Sequence, residues 1–130
     1  MSPKSGGRRT PCTVPDAKAR LRDAEAFLEA AELSKKSDVT ATNAIHAAIA
    51  AADAICCVAL RERSADGNHG AAVTLLGEVD KTLAAALRRA LDRKNQAACE
   101  ARDIADADAQ ACVRQATTLI EAARQRVTAI

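Results

Sequence analysis

Apolar residues near the start of the chain recur every three or four positions, which is the pattern of an amphipathic helix. Thr13, Pro15 and Asp16 form a helix start, because Thr caps helices, Pro suits the first turn, and an acid follows three residues after the cap. The pattern therefore predicts a first helix that ends near Leu33. Its inward positions are Ala17, Leu21, Ala24, Leu28 and Ala31.

Residues 41–61 are almost entirely apolar and predict a second helix. A helix this apolar must be covered by its neighbours on most sides. Asp38 or Thr40 is expected to cap its start. Because His46 and Asp53 interrupt the apolar run, the pattern argues against a membrane span.

Two more helices are predicted after a polar loop. The dipeptide Asp66-Gly67 is a turn signal, and Asn68 is expected to cap a short third helix over residues 71–76. Asp80 is expected to cap a fourth helix. The inward positions of the fourth helix are Leu83, Leu87, Ala90 and Leu91.

The last stretch has the most regular helical period in the chain. The acidic cluster Asp103, Asp106 and Asp108 precedes it, where negative charge suits a helix N-terminus. No strand pattern is visible, and short connections make neighbouring helices antiparallel. The sequence thus predicts an all-α, antiparallel up-and-down bundle of four to five helices. The inward face of the last helix contains Ala109, Cys112, Val113, Ala116, Leu119, Ile120, Ala123 and Val127.

Composition adds an expectation about assembly. About a quarter of the 130 residues are Ala, and Phe27 is the only aromatic residue. Each buried Ala removes little apolar surface from water, so a homodimer is expected to supply further burial. The length fits one domain over residues 15–130. Residues 1–14 contain basic but no acidic side chains and are predicted to be a disordered tail, solvated or touching an anionic partner.

The five Cys residues, with no recognisable signal peptide, are typical of a protein of the reducing cytoplasm. Cys56 and Cys57 are adjacent, where a mutual disulfide would distort the helix. No CxxC pair occurs, so neither a metal site nor a cofactor is predicted. The thiols are expected to be free and to pack in the core, as Cys112 does on its apolar face.

Arg63 and His69 are the first candidates for chemistry, since five residues of a turn separate them. Cleavage of RNA without a metal needs a group that takes the 2′-hydroxyl proton, which a His can do near neutral pH. It also needs a cation for the growing charge on the phosphate, which an Arg can supply by a bidentate grip. Alternatively, Arg63 is a solvated charge at a helix C-terminus and His69 an ordinary first-turn residue.

A second candidate site is a cluster along one side of the second helix, formed by Asn43, His46, Asp53 and Cys57. A buried carboxylate is rare unless it is paired, so Asp53 is expected to meet a cation, with Lys94 as the candidate. The cluster is interpreted either as a contact that fixes helix register or as a nucleotide or dimer pocket.

The fourth helix is basic and would be the path of an RNA backbone if the protein binds RNA. A solvated helix face is the alternative. The candidate substrate-binding residues are Arg61, Arg88, Arg89 and Arg93.

The layout resembles the HEPN domain family (higher eukaryotes and prokaryotes nucleotide-binding) over residues 17–124. The matching segments are AKARLRDAEAFLEAAE, ATNAIHAAIAAADAICC, RSADGNHGAAVTLL, LDRKNQAACEA and DADAQACVRQATTLIEAARQ. The resemblance implies an antiparallel helical bundle that often dimerises, and many members are metal-independent endoribonucleases that act as toxins or antiviral effectors. Their motif is an Arg and a His separated by four to six residues, which Arg63 and His69 match. Where some members have a Tyr, this chain has Ala71 and Cys99.

These observations predict a cytoplasmic, RNA-directed protein of the HEPN type, a metal-independent endoribonuclease that acts as a homodimer without a cofactor. The alternative is a non-catalytic module that binds a nucleotide or a partner protein such as a nucleotidyltransferase. Neither function involves a membrane.

Overall fold

The computed structural model describes residues 8–65, 69–100 and 102–130. Within them the chain forms an all-α bundle with one short pair of strands, which confirms the predicted fold class. In chain order the elements are β1 (Arg9–Pro11), α1 (Val14–Leu33), α2 (Ser37–Leu60), β2 (Glu62–Ser64), α3 (His69–Gly77), α4 (Lys81–Cys99) and α5 (Asp106–Thr128).

Helix α2 is the centre of the bundle and packs most extensively against α1 and α5. Most of its inward positions are Ala, and their small side chains let the flanking helices approach closely. By length and composition α2 could cross a membrane, since its most apolar window has a mean hydropathy of 1.7; 67% of that window is buried inside the bundle. The predicted covering of this helix on most sides is therefore confirmed.

Larger apolar side chains, most of them from α3, α4 and α5, fill the space around the Ala residues of α2. The inward faces predicted for α4 and α5 are confirmed, with Val113 and Val127 only partly buried. Helix α3, predicted over residues 71–76, is longer at both ends. The largest fully buried aliphatic side chains are Ile55, Leu76, Leu87, Leu119 and Ile120.

Two of the predicted helix caps are present. The Thr13 side chain accepts a hydrogen bond from the Asp16 backbone N–H, and the Asp16 carboxylate accepts one from the Thr13 N–H. Asp80 caps α4 by accepting a bond from the Leu83 N–H at 3.0 Å. The predicted turn and cap at residues 66–68 lie outside the described residues.

The cap predicted for α2 is wrong. The helix begins at Ser37 after Lys36, which makes no side-chain capping bond, so neither Asp38 nor Thr40 is the cap. Asp38 instead lies in the first turn and accepts a hydrogen bond from the Ile104 backbone N–H at 3.0 Å. The carboxylate thus fastens the start of α2 to the segment that precedes α5.

Replacing the α4 cap gives a measurable stability change. We expect Asp80→Ala to lower the free energy of unfolding by about 1 kcal/mol, because the Leu83 N–H loses its partner. Urea unfolding followed by circular dichroism measures this change. The control is Asp92→Ala at an exposed position within the same helix, and equal losses in the two variants would contradict the capping role.

The N-terminal segment departs from the prediction of a disordered tail over residues 1–14. Strand β1 pairs antiparallel with β2, with Thr10 opposite Arg63, and Cys12 forms a disulfide with Cys57 on α2. Three residues are too few to show an alternating pattern, so neither strand could be recognised from the sequence. Residues 1–7 lie outside the described part of the chain.

The expectation that the Cys residues are free is accordingly wrong for this pair. Cys12 and Cys57 are both buried, with their Cα atoms 5.0 Å apart. Cys56 and Cys112 are buried free thiols, as predicted, whereas Cys99 is free and exposed. Burial raises the pKa of the Cys56 thiol to about 12, so this thiol stays protonated at neutral pH.

Candidate functional site

A pocket of about 210 Å³ lies where α2, the start of α3 and α4 meet. Both His residues of the chain line it. The pocket is smaller than most sites for drug-sized ligands. Its lining residues are Thr42, Ile45, His46, His69, Leu91, Lys94 and Asn95.

Helix α2 supplies one wall through Thr42, Ile45 and His46, which share one face because they are three and four residues apart. Ile45 is buried and forms part of the apolar floor, while His46 is exposed. The Phe27 ring of α1 lies against the imidazole of His46, with 5.2 Å between the ring centroids. This contact limits the orientations available to the imidazole.

Helix α4 supplies the opposite wall with the same spacing, through Leu91, Lys94 and Asn95. Leu91 is buried, whereas the Lys94 ammonium and the Asn95 amide provide polar groups at the pocket. Lys94 also adds to the lowering of the Asp38 pKa, which is caused mainly by the hydrogen bond from Ile104. The pocket therefore combines an apolar floor with a cation and hydrogen-bonding side chains.

His69 is the first residue of α3 and is exposed. Together with His46 and Lys94 it gives the pocket two imidazoles and one ammonium. Imidazoles exchange protons near neutral pH, and an ammonium attracts a phosphate oxygen. These groups can bind a phosphate ester and move protons at its oxygens. No group of three or more His, Cys, Asp or Glu that could hold a metal is found among the described residues.

Arg63 is not among the residues that line this pocket. It lies in β2, and its Nη1 donates a hydrogen bond to the Ser64 carbonyl at 3.3 Å. Burial raises the pKa of Asp53, and the positive charges of Arg20 and, to a smaller extent, Arg63 oppose that rise. The pKa of Asp16 is lowered mainly by its hydrogen bonds with Thr13, and Arg63 adds to this lowering. Arg63 therefore lies within electrostatic range of Asp16 and Asp53, whereas His69 lines the pocket with residues of α2 and α4.

The ion pair predicted between Asp53 and Lys94 is wrong. The buried Asp53 carboxylate accepts hydrogen bonds from Arg20 of α1, at 3.2 Å from Nε and 3.0 Å from Nη2. Lys94 lies instead at the pocket. Burial raises the pKa of Asp53, and the Arg20 guanidinium opposes that rise.

The predicted buried polar cluster on α2 does not form. Asp53 and Cys57 are buried, with Cys57 in the disulfide; His46 is exposed, and Asn43 is half-buried with its amide donating to the Val39 carbonyl. Ten residues of helix separate Asn43 from Asp53, which is about 15 Å. Residues on one side of a long helix can therefore face different neighbours.

The candidate RNA-binding Arg residues have different surroundings. Arg88 and Arg89 are exposed on α4. Arg93 forms a salt bridge to Asp108 of α5, with 2.7 Å between Nη1 and Oδ1. Arg61 follows α2 with a left-handed φ of 58°, and its carbonyl accepts a hydrogen bond from the Cys12 N–H. Only Arg88 and Arg89 combine exposure with a position on the basic helix.

His46, His69 and Lys94 each stand out as candidate site residues in the sequence, but the pocket that they share could not be predicted from it. Thr42, Ile45 and Asn95 were not recognised at all. The signal was a polar residue placed three or four positions from an apolar one, on both α2 and α4. That spacing is too common in amphipathic helices to identify a site without knowing which helices face each other. Comparisons with protein-family models, curated proteins and solved structures find no match to this chain.

Proposed function

We propose that this protein is a metal-independent endoribonuclease of the HEPN type that acts on RNA as a homodimer in a toxin or defence role. The observation that carries the proposal is the convergence of His69, His46 and Lys94 on one pocket. His69 belongs to the Arg63–His69 pair that matches the motif of the HEPN family, and the pocket gives it neighbours suited to a phosphodiester.

The reaction class follows from the side chains at the pocket. RNA carries its own nucleophile, the 2′-hydroxyl, so cleavage requires proton transfer and stabilisation of charge on the phosphate. His69 supplies an imidazole for proton transfer, and Lys94 supplies a positive charge at the same pocket. The exposed Arg88 and Arg89 add positive charge on α4, where phosphates of a longer RNA can bind.

A second candidate function is a non-catalytic module that binds a nucleotide or a partner protein, such as a nucleotidyltransferase, through the same cleft. One observation favours it: Arg63, the other half of the family motif, lies toward Asp16 and Asp53 and does not line the pocket. A pocket without its Arg can bind a phosphate through Lys94 and still lack catalytic power.

A cleavage assay in excess EDTA separates these candidates. Parent protein, His69→Ala and Lys94→Ala are incubated with a mixed RNA substrate, and Lys81→Ala serves as the control on the same helix. General acid–base catalysis contributes about 10²–10⁴-fold, so His69→Ala is expected to lose at least 10²-fold in rate. Lys94→Ala is expected to lose activity, and Lys81→Ala to keep it, because Lys81 is exposed outside the pocket.

Equal cleavage by the parent and His69→Ala would contradict the proposal and point to a contaminating nuclease. If the parent does not cleave RNA but binds a nucleotide in a Lys94-dependent manner, the second candidate replaces the first. Nucleotide binding is measured by calorimetry on the parent and on the two Lys variants.

A further inference from the structure

The pocket contains two imidazoles, those of His46 and His69. We propose that His46 is the second acid–base residue of the reaction, so that a single protomer holds both proton-transfer groups. The products would then be an RNA ending in a 2′,3′-cyclic phosphate and an RNA beginning with a 5′-hydroxyl. This inference rests on the proposed ribonuclease function and goes beyond the Arg63–His69 pair.

The geometry supports a specific pairing of His46 with His69. They come from different elements, α2 and the start of α3, and line one small pocket together. Both side chains are exposed, so a substrate can reach them. The Phe27 ring lies 5.2 Å from the His46 ring and holds its orientation.

The chemical step balances without any further reactant. The 2′-oxygen attacks the phosphorus as one neutral imidazole takes its proton, and a 2′-O–P bond forms. The bond between phosphorus and the 5′-oxygen breaks as the other, protonated imidazole gives its proton to that oxygen. One proton is taken and one is given, so the net charge of the pair of imidazoles is unchanged. Lys94 also lines the pocket, and its ammonium can offset charge on the non-bridging oxygens.

The ionisable groups that share the pocket with His46 come from α3 and α4. α3 contributes His69 and α4 contributes Lys94 to the shared pocket, whereas α1 contributes the uncharged Phe27. Because one imidazole must be neutral and the other protonated, the rate is expected to be bell-shaped in pH. Loss of one imidazole is therefore expected to remove the fall in rate on one side of the pH optimum.

The test uses an RNA dinucleotide and its 2′-deoxy analogue with parent, His46→Ala, His46→Gln and His69→Ala. Asn43→Ala is the control, on the same helix but outside the pocket. We expect cyclic-phosphate products from the parent, no cleavage of the deoxy analogue, and at least a 10²-fold loss in both His46 variants. The pH profile of the His46→Ala rate should keep only one of the two limbs. Added imidazole should restore part of the rate of this variant, whereas it would not restore a rate that was lost through misfolding. Circular dichroism establishes that each variant is folded.

Mixing the two Ala variants tests whether the pair lies within one protomer. If each site uses both imidazoles of one chain, a mixture of His46→Ala and His69→Ala stays inactive. Recovery of activity in the mixture would show a site shared between chains and overturn the inference. The inference would also be overturned if His46→Ala cleaved RNA at the parental rate with a bell-shaped pH dependence while His69→Ala was inactive. The proposed function would then still stand. Absence of RNA cleavage by the parent would overturn both.

Discussion

Arg20→Ala is expected to lower the free energy of unfolding by about 3 kcal/mol, because it leaves the Asp53 carboxylate buried without its cation. The Asp53 side chain is only 8% exposed and accepts two hydrogen bonds from the guanidinium. Breaking a buried pair costs about 3–5 kcal/mol, and the low end applies because Arg20 itself is 29% exposed. Water entering beside the truncated side chain recovers part of the loss.

Chemical denaturation of Arg20→Ala and Arg22→Ala measures this effect on one helix. Arg22 is exposed, so its substitution should change the free energy of unfolding by less than about 0.5 kcal/mol. Similar losses in the two variants would mean that the ion pair to Asp53 contributes nothing. Asp53→Asn combined with Arg20→Ala should be less destabilised than Arg20→Ala alone, because no buried charge remains.

The penalty should depend on pH in a definite direction. Burial raises the pKa of Asp53 even with Arg20 present, and loss of the guanidinium raises it further. Protonation of the carboxyl removes the need for a cation. The penalty of Arg20→Ala is therefore fully present above the pKa of Asp53 in both folded proteins and shrinks as the pH falls through those values. A penalty that grows on acidification would contradict this account.

Removal of the Cys12–Cys57 disulfide is the second large change, with an expected loss of about 4 kcal/mol. The bond closes a loop with a sequence separation of 45, and the chain-entropy estimate for such a loop gives that value. The disulfide also holds β1 beside β2, since Cys12 directly follows the strand. Its loss frees the unfolded chain and releases one side of the strand pair.

Thermal unfolding of the parent with and without dithiothreitol measures the contribution. Cys12→Ala should unfold at a lower temperature than the oxidised parent and should not respond to reductant. Cys56→Ala, a buried free thiol beside Cys57, is the control for lost packing and should keep the response to reductant. If the oxidised parent shows no change on reduction, the disulfide does not stabilise the fold.

The helices were predictable because each has its own apolar period, and several have a recognisable start. The capping box of Thr13 and Asp16 starts α1 as predicted, and Asp80 caps α4 as predicted. The strand pair was not predictable, because β1 has three residues and depends on a Cys that lies far along the chain. Local patterns reveal local structure, whereas this pairing depends on the tertiary fold.

The site was predicted only in pieces, for the same reason. The sequence indicated that Asp53 needs a cation, yet it could not tell which neighbouring helix faces that turn of α2. Arg20 of α1 is the partner, while Lys94 of α4 lies at the pocket instead. In the same way, His46 and His69 were each noticed alone. Their meeting depends on how α3 and α4 pack against α2, which no single-helix pattern records.

The apolar α2 also has a consequence for synthesis of the protein. Because the chain is made from its N-terminus, α2 emerges from the ribosome before the residues of α3, α4 and α5 exist. During that interval these three helices cannot cover α2, so less of a helix with the hydropathy of a membrane segment is buried than in the finished bundle. Its nascent chain therefore presents chaperones and membrane-targeting factors with a hydrophobic segment that the finished bundle conceals.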